Sequence, residues 1–171
     1  MYSKVKFADH PIHPMLVSFP ITFYVLTVVA FIVYQGVNSD IFWYRLGYFS
    51  NFAAIICAVV AAVPGFIDWA FGIPKNTSAQ RTGLVHMILN LCTLALYAVS
   101  AYLLKGTWDT ASAPMSGVIF LTSIGAIILL GAGYLGWNLI SRDKVGVDMT
   151  PVEEQRQEKY ERSGEQPPMF H

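Results

Sequence analysis

Four stretches of the chain carry no charged residue: Pro11–Ser39, Leu46–Ile67, Thr82–Leu104 and Thr110–Ser141. Each is longer than the roughly 20 apolar residues a helix needs to cross a bilayer core. A helix lying on a soluble core would place polar residues at every third or fourth position, and these runs do not. The pattern predicts an all-α integral membrane protein with four spans, over 14–36, 45–69, 83–104 and 116–140. Short connections between them predict an up-down-up-down bundle. The first run exceeds the apolar region of a signal peptide, about 7–15 residues, and no A-x-A-like site follows it, so it is expected to be kept. Pro20 predicts a kink near the start of this span.

Composition and charge sharpen the picture. Charged residues make up 13% of the chain, against about a quarter in soluble domains. Nine basic residues fall in the N-terminus, the second connection and the tail, and only Arg45 and Lys105 on the other side. The positive-inside rule then puts both termini in the cytoplasm. Trp43, Tyr44 and Trp108 are expected at the outer interface, and Trp69, Tyr134 and Trp137 near the inner one. Formal net charge is zero, and there is no basic patch or glycine-rich phosphate loop, which excludes nucleic-acid binding. Cys57 and Cys92 fall at different depths, so they read as small core residues rather than a disulfide. After Ser141 the sequence holds 12 charges in 30 positions. This marks 149–171 as a solvated tail beyond a membrane domain spanning 9–148. Within it Thr150-Pro151-Val152-Glu153 has the form of a capping box, predicting a short helix from Pro151 to Ser163.

The candidate chemistry gathers at the cytoplasmic end. His10 and His13 stand in DHPIHPMLVSFP ahead of the first span, and Asp68 closes the second in PGFIDW. Arg81 and His86 begin the third, with Asn90 at i+4 on the same face. Residues before proline avoid the helical region, so Asp9–His13 is expected to be an extended arm. Pro14 would then be the first helical residue, with the two histidines facing the same way about 9 Å apart. Neutral imidazoles from different helices suit haem b, or a transition metal such as iron, copper or zinc. The candidate ligands are therefore His10, His13 and His86. Asp68, Arg81 and Asn90 are their expected outer partners, or a proton route.

Plainer readings stand beside these. The arm histidines would sit at the headgroups, Asp68 would pair with Arg81 or Lys75, and His86 would bond a backbone carbonyl. Gly131, Gly133 and Gly136 in span 4 serve either tight packing or a flat ligand. Ser78 or Thr82 is expected to cap span 3. Proton or small-solute transport and a non-catalytic assembly role are the other function classes. Transport is opposed by how little polar character lies in the outer halves beyond Asn51, Ser100 and Thr122. No G-x-S-x-G or H-E-x-x-H motif points to hydrolysis.

HPIHPMLVSFP, PGFIDW, HMILN and GYLGWNLISRDKVGV together resemble a widespread bacterial family of small predicted membrane proteins of unknown function. That family opens with HPxHPxLVxFP and has four spans. His10, Pro11, His13, Pro14, Phe19, Pro20, Asp68, His86 and Asn90 match its motif positions. The resemblance implies a bacterial inner-membrane protein. Some relatives are joined to Rieske-type modules, which implies an electron-transfer setting; a redox partner protein or quinone, and a second copy of the chain, are the candidate partners. This chain departs from the family beside Gly136, where Trp137 and Asn138 stand in place of a second glycine and would narrow any space for a ligand.

Overall fold

A computed structural model describes residues 3–8 and 10–147, and in the tail Pro151, Val152, Gln155, Glu158, Lys159 and Arg162. A two-stranded hairpin, β1 (Lys6–Phe7) with β2 (His10–Pro11), leads into α1 (Ile12–Leu16) and α2 (Ser18–Gly36). There follow α3 (Ile41–Ile67), a π-helical turn over Asp68–Gly72, α4 (Ser78–Leu104) and α5 (Met115–Ser141). Four segments are long and apolar enough to span a membrane: Ile12–Gly36, Ile41–Gly72, Ser78–Leu104 and Met115–Ser141. The chain is an all-α, multi-pass membrane bundle, and its outward face is the one lipid would cover. Ile127 and Leu130, for instance, are 68% and 75% exposed.

The helices run past the apolar windows because their ends are capped. Asp40 accepts the Phe42 amide at 2.8 Å and starts α3. Thr77, rather than Ser78 or Thr82, caps α4 by accepting the Gln80 amide at 3.2 Å. Thr77→Ala is expected to cost about 1 kcal/mol, measurable as a lowered Tm in detergent.

The break in the first span also has a local cause. Pro20 has no amide to offer the carbonyl four residues back, and its ring crowds that carbonyl. That residue is Leu16, where α1 ends, with Val17 joining it to α2.

The closest packing is between consecutive helices, α2 with α3 and α4 with α5, and these two hairpins meet through α2–α5 and α3–α4. At the far end from the termini Phe31, Tyr44, Leu104 and Val118 are fully buried together. Tyr24, Ala54, Tyr97 and Leu129 form the middle of the core. Ile73, Ala79 and Leu139 close the terminal end.

Several expectations are corrected here. Tyr44 is not an interfacial ring: it turns inward and its hydroxyl meets Thr107. Trp43 stacks edge-on with Phe42, and Trp108 meets the Arg45 guanidinium at 5.3 Å. Tyr134 and Trp137 do point outward. Cys92 is exposed and Cys57 half-buried; both are free thiols and neither is a core residue. In the tail Pro151, Val152, Gln155, Glu158, Lys159 and Arg162 are helical and exposed. Thr150, Glu153 and Ser163 of the expected capped helix lie outside the described residues, as does His171.

Candidate functional site

The terminal end of the bundle is organised around PGFIDW. Pro64 sits inside α3, and its missing amide loosens the helix wall there. Gly65 leaves room for the His13 ring: a Cβ at this position would lie 2.7 Å from His13 Cε1 and Nδ1. Asp68 turns to the N-terminus, where Ser3 Oγ donates to its Oδ2 at 2.8 Å. The Lys4 and Val5 amides donate to its Oδ1 at 2.6 and 3.2 Å. Trp69 packs on Gly83 of α4 and donates from Nε1 to the Gln80 carbonyl at 3.0 Å.

The expected extended arm is therefore replaced by a clamped hairpin and a helical turn. His13 lies inside α1, one residue ahead of Pro14. The proline is tolerated because an amide in the first turn would have no intrahelical partner in any case. The Ile12 amide donates to the Val5 carbonyl at 3.0 Å, which fixes where the turn begins. His10 is separated from His13 by this change of structure. It is exposed on β2, with Nδ1 2.6 Å from the Ala8 carbonyl. Asp9 lies outside the described residues.

His13 and His86 are brought together. Their ring centroids are 6.4 Å apart and their planes cross at 88°. His13 Nδ1 lies 2.8 Å from the Ala61 carbonyl on α3, and His86 Nδ1 lies 2.8 Å from the Ala132 carbonyl on α5. A carbonyl only accepts, so both rings carry a proton on Nδ1, and in the neutral ring the lone pair is then on Nε2. The His86 bond is the plainer of the two roles foreseen for that residue, and it also sets the ring's tautomer. Asn90 Nδ2 lies 3.2 Å from His86 Nε2 and donates to the His86 carbonyl at 2.8 Å.

Asp68 is not a partner of either imidazole or of Arg81, because the N-terminal segment takes its carboxylate; Arg81 is exposed. Gly136 faces His86, with a Cβ there 3.1 Å from Cε1, while Gly133 meets nothing within 4 Å. Trp137 is 65% exposed and does not fill the space beside them. Among the described residues, no group of three His, Cys, Asp or Glu side chains comes together to hold a metal ion.

One feature of the site lies outside the motifs. His86, Asn90, Thr93, Tyr97 and Ser100 follow each other at spacings of four, three, four and three, which places them on one face of α4. The structure turns that face inward. Thr93 donates to the Gly125 carbonyl at 3.3 Å, and Tyr97 donates to the carbonyls of Tyr24 and Thr122 at 2.9 and 3.1 Å. Asn51 Nδ2 donates to Ser100 Oγ at 2.8 Å. The spacing was there to be read; taken one at a time, hydroxyl residues in an apolar span look like filler.

A family described as Predicted membrane protein (DUF2231) matches residues 9–149. The chain belongs to the DUF2231 family. The match takes in all four spans of this DUF2231 protein and both members of the imidazole pair. No curated protein and no solved structure matches the chain.

Proposed function

We propose that His13 and His86 are the ligand pair of a haem b, and that the protein is an electron-transfer component or accessory subunit of a membrane redox complex. The observation that carries this reading is the pairing itself. Two imidazoles from different hairpins meet inside a membrane bundle, each with its Nδ1 proton committed to a backbone carbonyl. That second bond is what orients ligating histidines and raises their basicity. The two rings are also direct neighbours, with centroids 6.4 Å apart.

Two imidazoles complete a haem iron, whose other ligands are the macrocycle nitrogens. They are too few for a bare iron, copper or zinc ion, and no third such ligand joins them among the described residues. The ligand count therefore favours haem. Occupation requires Asn90 to leave His86 Nε2 and keep only its bond to the His86 carbonyl. A bound haem would supply reversible one-electron chemistry. The chain's own part is to hold both tautomers.

The test is the reduced-minus-oxidised absorption spectrum of the full chain, purified in mild detergent from haem-replete cells, with metal analysis of the same sample. A b-type band is expected, absent from His13→Ala and His86→Ala and retained in His10→Ala. A colourless, folded protein from such cells would end the haem reading.

A further inference from the structure

Asn90 stands apart from the other polar residues on the inward face of α4. Thr93 bonds to α5, Tyr97 to α2 and α5, and Ser100 takes the Asn51 amide of α3. Each of those bonds ties α4 to a neighbour, the ordinary use of a polar group inside a membrane bundle. The bonds of Asn90 go back to His86, one turn earlier on the same helix. Nδ2 donates to the His86 carbonyl at 2.8 Å and lies 3.2 Å from the ring's Nε2. Among the described residues, neither bond joins two helices, so the arrangement does not serve assembly.

The bond to the carbonyl alone would be an ordinary back-bond of a polar side chain within a helix. The ring contact is what distinguishes it. A primary amide has two hydrogens on one nitrogen, so one rests on the carbonyl while the other is donated to the imidazole. His86 is thereby held at both ring nitrogens, Nδ1 by Ala132 of α5 and Nε2 by Asn90. His13 has a counterpart of the first hold in Ala61 and, among the described residues, none of the second. The two imidazoles are therefore unequal. The lone pair of His13 is available as it stands, whereas that of His86 has first to be released.

We propose that Asn90 is a placeholder, a built-in competitor for His86 Nε2 that sets how readily the imidazole pair takes up a haem. The inference rests on the reading of His86 as a haem ligand and adds the residue that regulates its occupation. While the amide donates to Nε2, that nitrogen has no lone pair to offer. When the amide turns aside, its bond to the carbonyl keeps the side chain on its own helix, and no contact between helices is given up. The apparent affinity is then the intrinsic one multiplied by the fraction of molecules in which the amide has turned. One hydrogen bond between neutral groups sets that fraction at about one in three to one in ten.

The test titrates haemin into haem-free full chain in mild detergent and reads uptake from the absorption spectrum. Asn90→Ala and Asn90→Leu are both expected to bind about three- to ten-fold more tightly than wild type. Both replacements are strong helix formers, so the span keeps its helix. Alanine opens space, whereas leucine keeps the volume and removes the donor. Tightening in alanine alone would mean that room limits uptake, and would overturn the placeholder. The gain should lie in the association rate, with haem transfer to excess apomyoglobin unchanged; a gain confined to dissociation counts against the proposal in the same way. A second reading needs no haem. In nitrogen NMR of the haem-free protein, His86 Nε2 should move downfield in Asn90→Leu while His13 Nε2 stays in place. An unmoved His86 signal overturns the proposal. If neither wild type nor variants take up haemin, the haem reading fails and this inference falls with it. Uptake by all three with equal affinity ends this inference alone.

Discussion

Gly125→Leu is expected to prevent the bundle from assembling. A Cβ at Gly125 would lie 2.7 Å from Tyr97 Cε2 and 3.0 Å from its Cδ2, well inside the about 3.5–4.0 Å of ordinary carbon contact. Tyr97 has nowhere to go. It is fully buried, its hydroxyl holds two carbonyls, and its ring rests on Tyr24. Overpacking alone costs about 1–3 kcal/mol. Displacing Tyr97 adds about 1–3 kcal/mol for each buried bond it breaks. The sum, on the order of 5 kcal/mol, matches the lower end of whole-domain stability. Size-exclusion profiles in detergent should show aggregate where the wild type is monodisperse. Gly133→Leu is the control, since a Cβ there would meet nothing within 4 Å, and it should leave the profile unchanged. A Gly125→Leu protein with wild-type Tm would mean that α4 and α5 do not pack as described.

The second large effect belongs to Asp68. Its carboxylate holds Ser3, Lys4 and Val5, and those residues position the turn that carries His13. Hydrogen bonds to a charged group contribute about 1.5–3 kcal/mol each. Asp68→Ala should therefore release the N-terminal segment at a cost of about 3–5 kcal/mol, counting the partial independence of neighbouring bonds. Limited proteolysis reads this directly. Cleavage around Lys4 and Lys6 should appear in Asp68→Ala under conditions where the wild type resists, with the four spans intact. Asp68→Asn keeps one accepting oxygen and should fall between. If the alanine variant resists cleavage as the wild type does, the clamp contributes nothing.

The spans were legible because uncharged length is a bilayer requirement, and hydropathy reports it directly. Their ends were not, because Asp40 and Thr77 act through single side-chain bonds that leave no trace in an average. At the site, the topology alone put His13 and His86 at the same end, and the structure makes them neighbours. The arm was misread because the preference of a pre-proline residue for extended backbone is weak beside a start fixed by Ile12 on Val5. Asp68 was expected beside the imidazoles, or paired on charge with Arg81 or Lys75, yet three donors from the N-terminal segment take it, and backbone amides carry no residue identity to read. Gly65 and Gly136 stood in the quoted motifs, but only packing reveals that each makes room for one imidazole ring.

The two bonds that orient the imidazoles bear on how the protein is made. His13 is fastened to α3 and His86 to α5, so each ring is fixed within its own hairpin, by a carbonyl of the helix paired with the one that bears it. Neither needs the other half of the chain to acquire its tautomer and direction. During insertion, the first two spans can finish one wall of the site while the last two are still being synthesised. The site then comes into being as a seam between two prefabricated pieces. Co-expressed fragments divided in the connection between α3 and α4 should rebuild it without a covalent link.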